Sequence, residues 1–153
     1  MILKSYIIEK NINLINEYKC VLFYGENDGI KDDVKRTIEK TNQDAEVLNL
    51  FQEEIIKDDN LVFRELNNLS LFSKKKIIFI YEASDKIFKT ISESLEHKKN
   101  VHAKLYIFSR LLEKKSKLRG LFEKKKELAI IPCYQDNERT LSTYITNKLN
   151  NFN

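Results

Sequence analysis

Residues 20–41 read CVLFYGENDGIKDDVKRTIEKT, and the fold class turns on them. CVLFY is an unbroken apolar run, which suits a strand covered on both faces better than one with a wet side. Gly25 ends the run. Beyond the turn, Ile30, Val34 and Ile38 recur every four residues, the inner stripe of a helix. Strand, tight turn and helix make the unit from which parallel sheets are built.

The alternation continues along the chain. EVLNLF, 46–51, reads as a strand. EEIIKDDNLVFRELNN, 53–68, reads as one helix or two short ones, with Ile56, Phe63 and Leu66 facing inward. KIIFIYE, 76–82, is the clearest strand. SDKIFKTISESLEH, 84–97, is a helix that Ser84 or Asp85 can cap. KLYIFS, 104–109, is a strand, and KKSKLRGLFEKKK, 114–126, a helix striped by Leu118, Leu121 and Phe122. LAIIP, 128–132, is a strand stopped by Pro132. DNERTLSTYITNKLNN, 136–151, is the last helix, with Leu141, Tyr144, Ile145 and Lys148 along one side. Ahead of all this, SYIIEKNINLINEYK, 5–19, carries the helical stripe Ile8, Ile12 and Ile15. The pattern predicts an α/β fold: three-layered, doubly wound, with a mostly parallel five-stranded sheet in one domain over residues 1–153.

Composition agrees and excludes much. Apolar residues are 42% and charged residues 33%, a globular balance. Three glycines and one proline leave no linker that would divide the chain. The longest strongly apolar run, Ile77 to Tyr81, is too short for a bilayer, and MILKSYIIEK lacks the apolar stretch of a signal peptide. The expected setting is the cytoplasm, without membrane contact. Cys20 begins one strand and Cys133 follows another, so they are expected to lie apart and stay reduced. His97 and His102 flank a turn-like stretch and read as exposed loop histidines. With so few ligands no metal site is expected, and no Ser-His-acid arrangement suggests itself.

The first strand-to-helix turn is where phosphates bind in such folds. A phosphate loop has the form G-x-x-x-x-G-K-[ST]. Here only three residues separate Gly25 from Gly29, Ile30 stands where lysine should, Lys31 comes one place late, and Asp32 replaces the Ser or Thr. Glu26, Asp28, Asp32 and Asp33 are expected to repel a triphosphate. G-x-G-x-x-G is absent too. KIIFIYE resembles the strand that ends in the acidic pair of an ATPase, but Tyr81 occupies the place of the metal-directing Asp and leaves Glu82, read as a surface residue. Gly25, Gly29 and Lys31 therefore form a degenerate loop not expected to bind nucleotide. Neither ATP hydrolysis nor a cofactor is expected.

Two features ask for another role. Residues 68–72 read NLSLF, placing Leu69, Leu71 and Phe72 between Asn68 and Ser70 in a connection that should be polar. They are either core or bait for a partner. Lys74 and Lys75 follow, then Lys76, expected to have mixed exposure. The net charge is +4, and residues 113–127 alone hold seven basic against three acidic residues. Lys114, Lys115, Lys117 and Arg119 there are either a polyanion patch or a solvated helix face.

FYGENDGIKDDVKRTIE, LNNLSLFSKKKIIFIYEASDK, KLYIFSRLLEKKSKLRGLFEKK and CYQDNERTLSTYI together resemble the N-terminal domain of the delta subunit of bacterial DNA polymerase III, a clamp-loader component. The resemblance spans essentially the whole chain. It implies an AAA+-like domain that does not hydrolyse ATP. It gives NLSLF a job, because the family's equivalent segment docks into a hydrophobic pocket on the sliding clamp and helps open the ring. Clamp-binding peptides resemble Q-L-[SD]-L-F, matched at Leu69, Ser70, Leu71 and Phe72, with Asn68 in place of Gln. Lys74 and Lys75 would contact an acidic clamp rim or DNA, or merely solvate the entry to the strand. The family's subunit continues into lid and collar domains that contact other loader subunits, so this chain corresponds to its first domain.

Overall fold

In the computed structural model, which describes residues 1–68, 74–99, 102–135 and 145–151, each of the apolar runs above is a strand. The strands are β1 (Cys20–Tyr24), β2 (Glu46–Phe51), β3 (Lys76–Ala83), β4 (Ala103–Ser109) and β5 (Leu128–Pro132). They form one parallel sheet in the order β2-β3-β4-β1-β5. The helices are α1 (Ser5–Lys10), α2 (Asp28–Thr41), α3 (Gln52–Lys57), α4 (Leu61–Asn67), α5 (Phe88–Glu96) and α6 (Lys117–Lys124). Residues 145–151 are helical as well.

Side chains alternate across a strand, so one apolar run serves two cores. Cys20, Leu22 and Tyr24 of β1 join a cluster with Ile55, Leu66, Ile91, Leu118 and Phe122. Val21 and Phe23 join the opposite cluster with Ile8, Ile15, Ile30, Val34 and Ile38. The chain leaves β1 for the far edge at β2 and then returns through β3 and β4 to β5. Right-handed crossovers therefore put α2 on one face and α3 to α6 on the other. The result is a three-layer, doubly wound, Rossmann-like arrangement. Its direction reverses between β1 and β4, which opens a crevice at the carboxyl ends of those strands.

Some expectations hold, among them two short helices within 53–68 and two separate free cysteines, and others are corrected. The 5–19 segment is not one helix: α1 stops at Asn11, whose side chain accepts from the Asn13 amide and starts a 3-10 turn over Ile12–Glu17. The 53–68 segment breaks at Asp58, which accepts from the Asn60 amide and pairs with Arg64 at 2.8 Å. That break resets the helical phase. Ile55, Val62 and Leu66 are buried, whereas Ile56 and Phe63 are 49% and 41% exposed. Lys76 is buried, its ammonium 2.7 Å from Glu65. Ser84 caps the 3-10 turn Asp85–Ile87 that leads into α5. Asp85 instead caps α6 from a distance: its carboxylate accepts from the Ser116 hydroxyl (2.6 Å) and from the Lys117 and Leu118 amides (both 3.0 Å). Cys20 and Cys133 are free and buried near opposite ends of the sheet. Of the last expected helix, Leu141 and Tyr144 lie outside the described residues, and Ile145 is half exposed.

Candidate functional site

The crevice at the strand reversal is a cleft of about 530 Å³ lined by the β1–α2 turn and the ends of β3 and β4. Gly25 occupies it with φ +128°, open only to glycine, and a Cβ there would collide with the Cys133 carbonyl. The turn is pinned to the chain beyond β5. Asn27 N–H donates to the Cys133 carbonyl at 3.0 Å and its side-chain amide to the Tyr134 carbonyl at 3.1 Å. Asn27 Oδ1 accepts from the Ile30 amide and caps α2. The Gly25 amide donates to the Arg110 carbonyl and the Asp28 amide to the Glu26 carbonyl. A phosphate loop works by turning such N–H groups outward. Here they are spent within the fold.

Lys31 does not point into the cleft as a free cation. Its ammonium donates to the carbonyls of Gly25 (2.9 Å) and Ser109 (3.1 Å), and Asp28 lies 3.1 Å away. An ammonium has three donors, and three acceptors surround this one. The carboxylates lining the cleft are Glu26, Asp28, Asp32 and Glu82. Asp33, expected among them, turns away to Arg36 (3.7 Å) and Lys148 (3.4 Å). Glu82 is exposed, as read from the sequence, and pairs with Arg110 at 3.3 Å. It sits in the left-handed region, φ 58°, where the β3–β4 register slips between Ile80 and Ala83. The parts that sequence reasoning missed here are Ser109 and Arg110. Their carbonyls accept from the Lys31 ammonium and the Gly25 amide, contacts that carry no side-chain signature.

Asn68 is the exposed C-cap of α4, its amide donating to the Arg64 carbonyl at 2.9 Å. Leu69, Ser70, Leu71 and Phe72 lie outside the described residues. The chain is described again at Lys74 and Lys75, both exposed.

The basic segment folds as expected about Leu118 and Phe122, with Ser116 as N-cap. Three of its seven basic residues pair with acids. Arg119 bonds Glu123 at 2.7 Å and the Leu112 carbonyl at 2.9 Å, and stacks 5.0 Å above Tyr24. Lys115 pairs with Glu113 at 3.3 Å, and Lys125 with Glu96 at 3.9 Å. Lys114 and Lys117 are exposed. Arg119 is therefore a packing residue here and not an outward contact.

Among the described residues, no group of three or more His, Cys, Asp and Glu is placed to hold a metal ion, and no helix is long and apolar enough to cross a membrane. Compared with known protein families and with curated proteins, the sequence matches none.

Proposed function

We propose that the chain is a non-catalytic, AAA+-like clamp-loader domain that binds the DNA sliding clamp through residues 68–72 and helps open it during replication in the cytoplasm. The observation that carries the reading is the state of Lys31: its ammonium, at the turn where a phosphate would sit, is held by Gly25, Ser109 and Asp28. A fold of this kind with its turn sealed lacks the parts for ATP hydrolysis, and an interaction role is what remains. Asn68 and Lys74 add support, because both flanks of the motif are exposed. Leu71 and Phe72 are the anchors, each contributing on the order of 1.5–3 kcal/mol when buried in a partner's pocket. Other loader subunits are partners through the lid and collar domains of the full subunit.

The test is binding to the cognate clamp. Leu71→Ala with Phe72→Ala abolishes binding and leaves the thermal midpoint little changed. A double variant that unfolds identifies those residues as core and ends the reading. Calorimetry with ATP and magnesium gives no heat of binding.

A further inference from the structure

The two edges of the sheet differ. At β5 the chain supplies its own cover: the Leu3 amide donates to the Ile130 carbonyl and the Ile130 amide to the Met1 carbonyl, both at 2.9 Å. At β2 no strand lies beyond, among the described residues. The Glu46 amide donates to the Lys75 carbonyl, so Glu46, Leu48 and Leu50 turn their main-chain groups toward β3. Val47, Asn49 and Phe51 turn theirs outward. At one end the Phe51 amide is held by the Glu54 carboxylate at 2.9 Å. At the other the Ala45 amide is held by the Asn42 carbonyl at 3.0 Å. Val47 and Asn49 between them present both N–H and C=O to whatever comes alongside. The usual devices that blunt an edge are missing from β2. It holds no lysine or proline, and its register with β3 runs unbroken from Glu46 to Phe51. On the side of the sheet that carries α2, Val47 and Phe51 are 38% and 50% exposed.

We infer that two copies of the chain pair through β2, antiparallel about a two-fold axis at Leu48. The free main-chain groups set both the partner and the register. A second copy offers the same two residues in reverse order. A two-fold at Leu48 sets each Val47 against the other copy's Asn49, and each such pair exchanges two hydrogen bonds. An axis one residue later sets Val47 against Phe51, whose amide is engaged. An axis one residue earlier sets Asn49 against Ala45, whose amide is engaged too. The side chains agree with the axis at Leu48. Leu48 is only partly buried in its own copy and meets its counterpart in a close pair across the two-fold. Phe51 lies opposite Ala45, with Val47 on the diagonal, so the apolar surface left open at this edge is covered. Glu46 lies opposite Leu50, and no like charges meet. Two five-stranded sheets become one of ten. The inference rests on no part of the clamp reading.

Sedimentation velocity of the full chain, from about 1 µM to about 1 mM, tests this. The wild type passes from monomer toward dimer as concentration rises. Val47→Lys puts a charge on the edge and weakens association at least about tenfold. Asn49→Pro removes an outward N–H while leaving the bonds to β3 in place, and weakens association as well. If Asn49→Pro fails to fold by circular dichroism, Val47→Lys is scored alone. Phe63→Lys, at an exposed apolar residue of α4, leaves association unchanged. Cross-linking reads the register. Under mild oxidation Leu48→Cys gives a covalent dimer, since Cα atoms in such a pair lie about 4.5 Å apart. Glu46→Cys, on the same face but about 14 Å from its counterpart, does not. Cys20 and Cys133 are buried and do not compete. A wild type that stays monomeric throughout overturns the inference. So does a dimer that survives Val47→Lys, or equal cross-linking at positions 46 and 48. The Leu71→Ala, Phe72→Ala variant keeps the dimer whether or not it loses the clamp, so the two readings fail separately. A dimer lost in that variant belongs to the 68–72 segment and overturns the pairing through β2.

Discussion

The ammonium of Lys31 lies 2.9 Å from the carbonyl oxygen of Gly25, fastening the first turn of α2 to the end of β1. The same group reaches the Ser109 carbonyl at 3.1 Å and so ties β1 and α2 to the end of β4. A lysine one place beyond where a phosphate loop carries its own is here a clasp.

Lys31→Met removes the clasp while keeping most of its apolar stem. Two buried carbonyls lose their donor, at a cost of about 1–3 kcal/mol. Urea unfolding should show the midpoint falling with the slope unchanged. An unaltered midpoint means that the contact contributes nothing to stability.

Two glycines should respond with opposite sign to the same change. Gly25→Ala meets both a forbidden φ and the Cys133 carbonyl, and should lose more than about 2 kcal/mol. Gly120 sits inside α6 with no atom within 4 Å of an added Cβ. Gly120→Ala should gain about 0.4–1 kcal/mol. Thermal melts of the two variants read this directly.

The thiols predict a loss of stability in alkali. Burial is the main cause that raises Cys133 from the ordinary 9.0 to about 12, and it raises Cys20 as well. A raised thiol leaves the folded state holding a proton that the unfolded state releases. The contribution is complete below pH 9.0 and is lost as pH climbs toward about 12. Each thiol lowers stability by about 1.4 kcal/mol per pH unit in that window. Replacing both with Ala should flatten the alkaline limb. In the native protein neither should react quickly with a thiol reagent at pH near 8, and both should react once unfolded.

Asp85 predicts the acid limb. Partial burial raises its carboxyl pKa, but hydrogen bonds from Ser116, Leu118 and Lys117 more than offset that and hold it below 3.8. The stabilisation is present above 3.8 and is lost as pH falls through the depressed value. Asp85→Ala should cost about 0.5–2 kcal/mol at neutral pH, as for other lost caps. The gap to wild type should close in strong acid. A gap that persists there would assign the loss to packing.

What the residues revealed in advance depended on range. CVLFY and KIIFIY announce buried strands because every position reports burial, whichever face it serves. Ile56 and Phe63 misled because a stripe is legible only while the helical phase holds, and Asp58 resets it. Lys31 could be seen to miss the phosphate-loop pattern, but not to reach Ser109, which is 78 residues away. Asp85 looks like a local cap, yet its partners begin at Ser116. Asp33 and Asp32 are neighbours in the chain on different sides of α2, and only the packing of that helix tells them apart.

The tether between Asn27 and Tyr134 spans 107 residues and bears on how the chain is made. During synthesis the β1–α2 turn emerges early, yet the carbonyl that fills its hollow belongs to Cys133, beyond the last strand. Until that stretch leaves the ribosome, the turn has no wall to settle against. Such late closure favours folding in one concerted event over stepwise growth from the first strand. Ribosome-stalled chains cut before residue 128 should therefore remain open to protease, and chains released past 135 should gain resistance in a single step.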